Sequence, residues 1–115
     1  MDEKFWSAVD ALLAKSEIVI DRPKGSMHPR HSAVVYPMDY GYLVGTHSGD
    51  QAGIDLWIGS LEERRVTGIL CTIDLDKGDA EIKVLLGCTD DEARETLAFH
   101  NRGEQSGILI MRENP

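Results

Sequence analysis

Val66-Thr67-Gly68-Ile69-Leu70-Cys71-Thr72-Ile73 runs into Asp74-Leu75-Asp76-Lys77-Gly78-Asp79, and that into Ala80-Glu81-Ile82-Lys83-Val84-Leu85-Leu86. Two apolar stretches rich in β-branched residues flank a polar segment with a glycine, the pattern of two strands joined by a turn. Asp74 closes the first strand and Asp79 opens the second, so a hairpin sets them on opposite sides of its mouth. Glu81 and Lys83, two residues apart, share one strand face.

Outward from this hairpin, further strands are expected over residues 18–20, 33–36, 41–46, 54–58 and 107–111. Pro23, Gly25 and Pro29 make residues 22–31 a loop, and Ser48-Gly49-Asp50 marks a turn. Phe5, Val9, Leu12 and Leu13 fall at helical spacing and predict an amphipathic helix over residues 3–15. Thr89, with Glu92 three residues later, forms a capping-box pattern; it opens a second helix through Ala93, Leu97 and Ala98 that ends near Gly103. The expected fold is mainly β with flanking α: a small closed barrel with an N-terminal and a C-terminal helix packed outside it. With 115 residues and no repeat, low-complexity tract or linker, residues 1–115 form one domain.

Twenty acidic against 12 basic residues leave a net charge of −8. Nucleic acid and anionic membranes are therefore disfavoured partners, because both need clustered cations. An anionic substrate would need metal ions between itself and the protein. No apolar run is long enough to span a bilayer, and Met1-Asp2-Glu3-Lys4 lacks the apolar core of a signal peptide. Cys71 and Cys88 lie in apolar stretches and suit buried thiols better than a disulfide, so a cytoplasmic location is expected.

Asp50, Asp55, Asp74 and Asp79 fall at loop–strand junctions. Gathered at one end of a barrel they would repel one another, and a hard cation such as Mg²⁺ relieves such repulsion. The other reading, solvated aspartates that favour turns, stays open at this point. Residues 74–79 are not a calcium loop, since the glycine comes at the fifth position and no glutamate stands at the twelfth. Pro29 between His28 and His31 rules out helical pairing of the two imidazoles, and His47 and His100 read as structural or surface residues. No nucleophile motif or phosphate-cradling loop is present.

Tyr36-Pro37-Met38-Asp39-Tyr40-Gly41-Tyr42-Leu43, followed by Thr46, Ser48, Asp50 and Asp55, closely resembles the core segment of family I soluble inorganic pyrophosphatases. Gly68, Asp74 and Asp79 keep that family's offsets, and residues 18–26 look like its opening strand and loop. The likeness covers about 70 of the 115 residues. It implies a five-stranded barrel of oligonucleotide-binding topology that hydrolyses inorganic pyrophosphate with Mg²⁺. By this resemblance Asp50, Asp55, Asp74 and Asp79 would ligate metal, with Asp55 and Tyr40 in the catalytic centre. Tyr36, Tyr40, Arg30 and Lys83 would face the substrate, and Arg102 and Lys24 are looser candidates. Homo-oligomers are the family's habit and are expected here.

The chain also departs from that pattern. Ala52 stands in place of the middle signature aspartate, the carboxylate thought to deprotonate the attacking water. Glu81 stands where a lysine is usual, with Lys83 as a possible replacement, and Asp39 or Asp76 as possible bases. Six positions separate Arg30 from Tyr36, so the hairpin that carries a family arginine is absent. Two readings follow: a minimal Mg²⁺-dependent pyrophosphatase, or a catalytically impaired descendant that binds a phosphorylated ligand or a protein partner.

Overall fold

The computed structural model describes residues 2–49 and 51–113. Helix α1 (Glu3–Ala14) leads into β1 (Ile18–Arg22), β2 (Asp39–Leu43), β3 (Asp55–Ile58), β4 (Val66–Asp74) and β5 (Asp79–Leu86). Helix α2 (Asp90–His100) and β6 (Gln105–Met111) follow. The strands form one sheet in the order β1-β2-β3-β5-β4-β6. Its neighbours are antiparallel except β3 and β5, which run parallel.

The central hairpin is β4 and β5, with Asp74 opposite Asp79, Thr72 opposite Glu81 and Leu70 opposite Lys83. Alternation along the strands then divides the apolar residues between two faces. Leu43, Leu56, Ile58, Ile69, Val84 and Leu86 pack on one face with Trp6 and Val9 of α1. Burying those two helix side chains contributes about 2–3 kcal/mol each. Trp57, Leu70, Leu85 and Leu109 pack on the other face with Tyr36, Met38 and the α2 residues Ala93 and Leu97. Each helix thus covers one side of the same sheet. Between the two tyrosines of β2, a Cβ at Gly41 would collide with the Val19 carbonyl oxygen. Glycine is what lets β1 lie against β2 there.

The Thr89 capping box forms: the Glu92 N–H donates to Thr89 Oγ1 (3.1 Å) and the Thr89 N–H donates to Glu92 Oε1 (2.9 Å). The same carboxylate accepts from the Ser60 N–H and so ties α2 to the turn after β3. Burial opposes the Glu92 charge, but the hydrogen bonds from Thr89 and Ser60 outweigh it and hold the carboxyl below its ordinary range. Cys71 and Cys88 are free thiols, and burial pushes Cys88 up to about 12. No helix among the described residues is long and apolar enough to cross a membrane.

Three expectations need correction. Residues 33–36 do not form a strand. A single bridge, Met27 to Val35, closes a ribbon in which the Gly25 N–H donates to the Tyr36 carbonyl and the Tyr36 N–H donates to that of Ser26. Pro37 follows directly and has no N–H to extend a ladder. The second strand ends at Leu43 instead of running to residue 46, because Thr46 Oγ1 donates back to the Leu43 carbonyl and caps the chain there. Finally, the sheet has six strands and is not closed. A five-stranded barrel from β1-β2-β3-β5-β4 would need β4 to pair with β1, and β6 occupies that edge of β4.

Candidate carboxylate site

Antiparallel partners share a face, so register places the candidate residues. Tyr40 lies opposite Trp57, and Tyr42 opposite Asp55. Asp55 and Trp57 therefore share the face of Lys83, Glu81, Asp79 and Asp74. This is also the face covered in part by α2. Lys83 is the centre of the arrangement. Its Nζ donates to Tyr40 Oη (2.8 Å) and Asp55 Oδ2 (3.0 Å) and makes an ion pair with Glu81 Oε1 (3.5 Å). The Tyr40 hydroxyl in turn donates to Asp55 Oδ2 at 2.6 Å. The side chains of Lys83 and Glu81 are only 5% and 7% exposed, whereas Asp55 keeps 24%, so solvent reaches the cluster from the Asp55 side. Burial, with Asp55 next to it, holds the Tyr40 phenol well above its ordinary pKa. It is a hydrogen-bond donor at any pH at which the protein is studied.

At the open end of the same face, Asp74 Oδ1 accepts from the N–H groups of Asp76 and Lys77 and shapes the β4–β5 turn. Asp79 sits opposite it as the first residue of β5. The hairpin thus brings these two together as the sequence suggests. Asp50 lies outside the described residues. Among the described residues, no three His, Cys, Asp or Glu side chains form a ready metal cradle. The donor chemistry nonetheless suits a hard cation: Asp55, Glu81, Asp79 and Asp74 all present carboxylate oxygens along one face.

Tyr36 is buried, with its ring 5.5 Å from Tyr40, 5.8 Å from Trp57 and 4.8 Å from Phe99. Burial raises its phenol, and the neighbouring Arg22 guanidinium opposes that rise. Arg30 lies exposed on the ribbon, where its backbone N–H donates to His28 Nδ1. His28 and His31 come within 5.0 Å of one another, ring to ring, by way of this ribbon and without a helix. Burial, followed by His31, Arg22 and Arg30, lowers the His28 pKa. Arg102 is exposed past α2 and lays its guanidinium 5.1 Å from the Phe99 ring centroid. The Lys24 backbone N–H binds Asp39 Oδ1, and Asp39, opposite Ile58, belongs to the other face of the sheet. Asp76 is exposed in the turn, and Ala52 lies in the exposed turn before β3, where its carbonyl accepts from the Ser48 N–H.

Sequence reasoning passed over one residue, Arg22, and left a second, His100, between a structural and a surface role. Strict alternation from Ile18 and Ile20 would put Arg22 on the α1 face. A bulge between Ile20 and Arg22 turns it opposite Tyr40 instead. The second is His100, 4% exposed, whose Nε2 accepts from Trp57 Nε1 (3.1 Å) while Nδ1 lies 3.0 Å from Gln105 Oε1. Burial, then the Lys83 charge, lowers its pKa to about 4, so this imidazole is neutral and anchors Trp57 beneath Tyr40. Its one local signal, a position in the last turn of an amphipathic helix, does not separate an anchor from a surface residue.

A concave space of about 600 Å³ opens beside Ile54, Cys71, Ile73, Ile82 and Ile108; its lining is mostly apolar and also includes His47, Thr72 and Glu81. No family model matches the chain, and neither does any curated protein.

Proposed function

We propose that the chain is a divalent-cation-dependent hydrolase of inorganic pyrophosphate, related to the family I soluble inorganic pyrophosphatases. The observation that carries this reading is the Tyr40–Asp55–Lys83 constellation, with Asp79 and Asp74 further along the same sheet face. The match of these residues to the tyrosine–aspartate segment of that family supports it.

In this reading Asp55, Asp74 and Asp79, with Asp50, supply hard oxygen ligands to Mg²⁺. The ion contributes Lewis-acid neutralisation of the diphosphate and a more acidic water. The remaining work falls to the chain itself. Tyr40, held protonated, donates its one O–H to Asp55 and so fixes the orientation of that carboxylate. Arg22, opposite Tyr40, and Arg30 on the exposed ribbon are the cations this reading assigns to the departing phosphate. The ring cluster of Trp57 on β3 with Phe99 and His100 on α2 keeps Tyr36 and Tyr40 in one geometry.

A second reading, a phosphate-ligand or partner-binding protein without turnover, is favoured by Ala52 and by the ammonium seated on Asp55 Oδ2. Loss of a general base costs roughly 10²–10⁴ in rate. Melting the protein with Mg²⁺ and imidodiphosphate, a non-hydrolysable diphosphate, tests the recognition common to both readings. Wild type is expected to gain stability from the pair, and Asp79→Asn to lose most of that gain. Equal gains in both proteins, or none in wild type, would remove the carboxylate face as the site.

A further inference from the structure

Lys83 is a buried ammonium held by three oxygens, and that is not the arrangement of a substrate lysine. An ammonium has three N–H donors. Here they meet three acceptors: Tyr40 Oη at 2.8 Å, Asp55 Oδ2 at 3.0 Å and Glu81 Oε1 at 3.5 Å. With 5% of the side chain exposed, no donor is directed at solvent or at an incoming phosphate. A lysine this buried persists only when its charge is matched, and the carboxylates of Asp55 and Glu81 match it.

We propose that the Lys83 ammonium is the resident cation of the carboxylate face. It fills, at Asp55 and Glu81, the place that a divalent ion would otherwise take. The inference deepens the metal-dependent reading above and rests on it for the identity of the site. The geometry supports the exchange. Glu81 and Lys83 are neighbours on one face of β5, and Leu70, the cross-strand partner of Lys83, is fully buried. A Mg²⁺ or Mn²⁺ ion would draw the same oxygens to about 2.0–2.2 Å, and so would have to displace the ammonium. Divalent binding in the wild type then begins at Asp79 and Asp74, at the open end, and reaches Asp55 only by displacing the ammonium.

Mn²⁺ binding, followed by calorimetry and by the loss of the free-ion EPR signal, tests this on wild type, Lys83→Met and Lys83→Gln. The glutamine variant keeps a donor for Tyr40 should the methionine variant fold poorly. Both substitutions are expected to tighten Mn²⁺ binding at least tenfold at pH 7.5. Both should also lower the melting temperature without metal and recover it with Mn²⁺. Adding Asp55→Asn to either variant should abolish the tighter binding. Affinity unchanged or weakened by loss of Lys83, or a gain that survives Asp55→Asn, overturns the proposal. So does failure of Mn²⁺ to raise the melting temperature of either variant. The two readings fail separately. Mn²⁺ bound by wild type with no gain in the variants leaves the metal site and removes the role of Lys83. No binding by wild type, with binding gained in the variants, supports the resident ammonium and removes the metal dependence of the natural protein.

Discussion

Tyr40 and His100 show how much of the site depends on single polar atoms held in apolar surroundings. The Tyr40 hydroxyl serves both Asp55 and Lys83, so Tyr40→Phe leaves two charged groups without a shared partner. A loss of about 1–3 kcal/mol is expected in urea denaturation, against a few tenths for an exposed tyrosine. His100 sets a pH dependence whose sign follows from its lowered pKa. The folded protein holds it neutral down to about 4, while the unfolded chain protonates it from 6.5. Its contribution is complete above pH 6.5 and is lost as pH falls toward 4. Between pH 7 and pH 5 that amounts to about 2 kcal/mol. Urea midpoints at the two pH values should therefore differ less in His100→Gln than in wild type; an unchanged difference would refute the assignment. The pairing of Glu81 and Lys83 on one face was legible because alternation in a strand is strict. The buried state of Lys83 was not, since it depends on Tyr40 and Asp55, 43 and 28 positions away.

The elements were legible wherever their signals are local. The capping box at Thr89 and the amphipathic period of residues 3–15 depend on residues within a turn of one another, and both helices form where those patterns lie. Thr89→Ala should cost about 1 kcal/mol of stability. Glu92→Ala should cost more, because it also releases the Ser60 N–H; thermal unfolding of both variants checks the order. The β4–β5 hairpin was read from its turn and its two apolar runs. Residues 33–36 show the limit of such reading. Ala33-Val34-Val35-Tyr36 has strand propensity, yet its partner is a ribbon of its own and not the main sheet. The bulge that turns Arg22 toward Tyr40 inserts one residue without a glycine or proline to announce it. Gln51 is the one non-glycine residue with positive φ among those described, at 72° in the turn before β3. Gln51→Gly should be neutral to stabilising by up to about 1 kcal/mol, whereas substitution by valine there should destabilise.

At the scale of the whole molecule, the spacing of apolar runs and turn residues anticipated a mainly β chain with two helices, and register explains why the carboxylates share a face. The open sheet was not legible, and a closed barrel was expected in its place. Closure depends on whether β6 or β1 takes the edge of β4, a choice between pairings far apart in sequence. Its result is a sheet with α1 on one side and α2 on the other, and a carboxylate site on the α2 side. An excess of eight negative charges makes divalent cations the natural means of admitting a diphosphate. The most direct test is phosphate release from pyrophosphate in the presence of Mg²⁺, comparing wild type with Asp55→Asn and Ala52→Asp. The account predicts Mg²⁺-dependent turnover by wild type, at least a hundredfold loss in Asp55→Asn, and a faster rate in Ala52→Asp. Absence of turnover in both wild type and Ala52→Asp would contradict it.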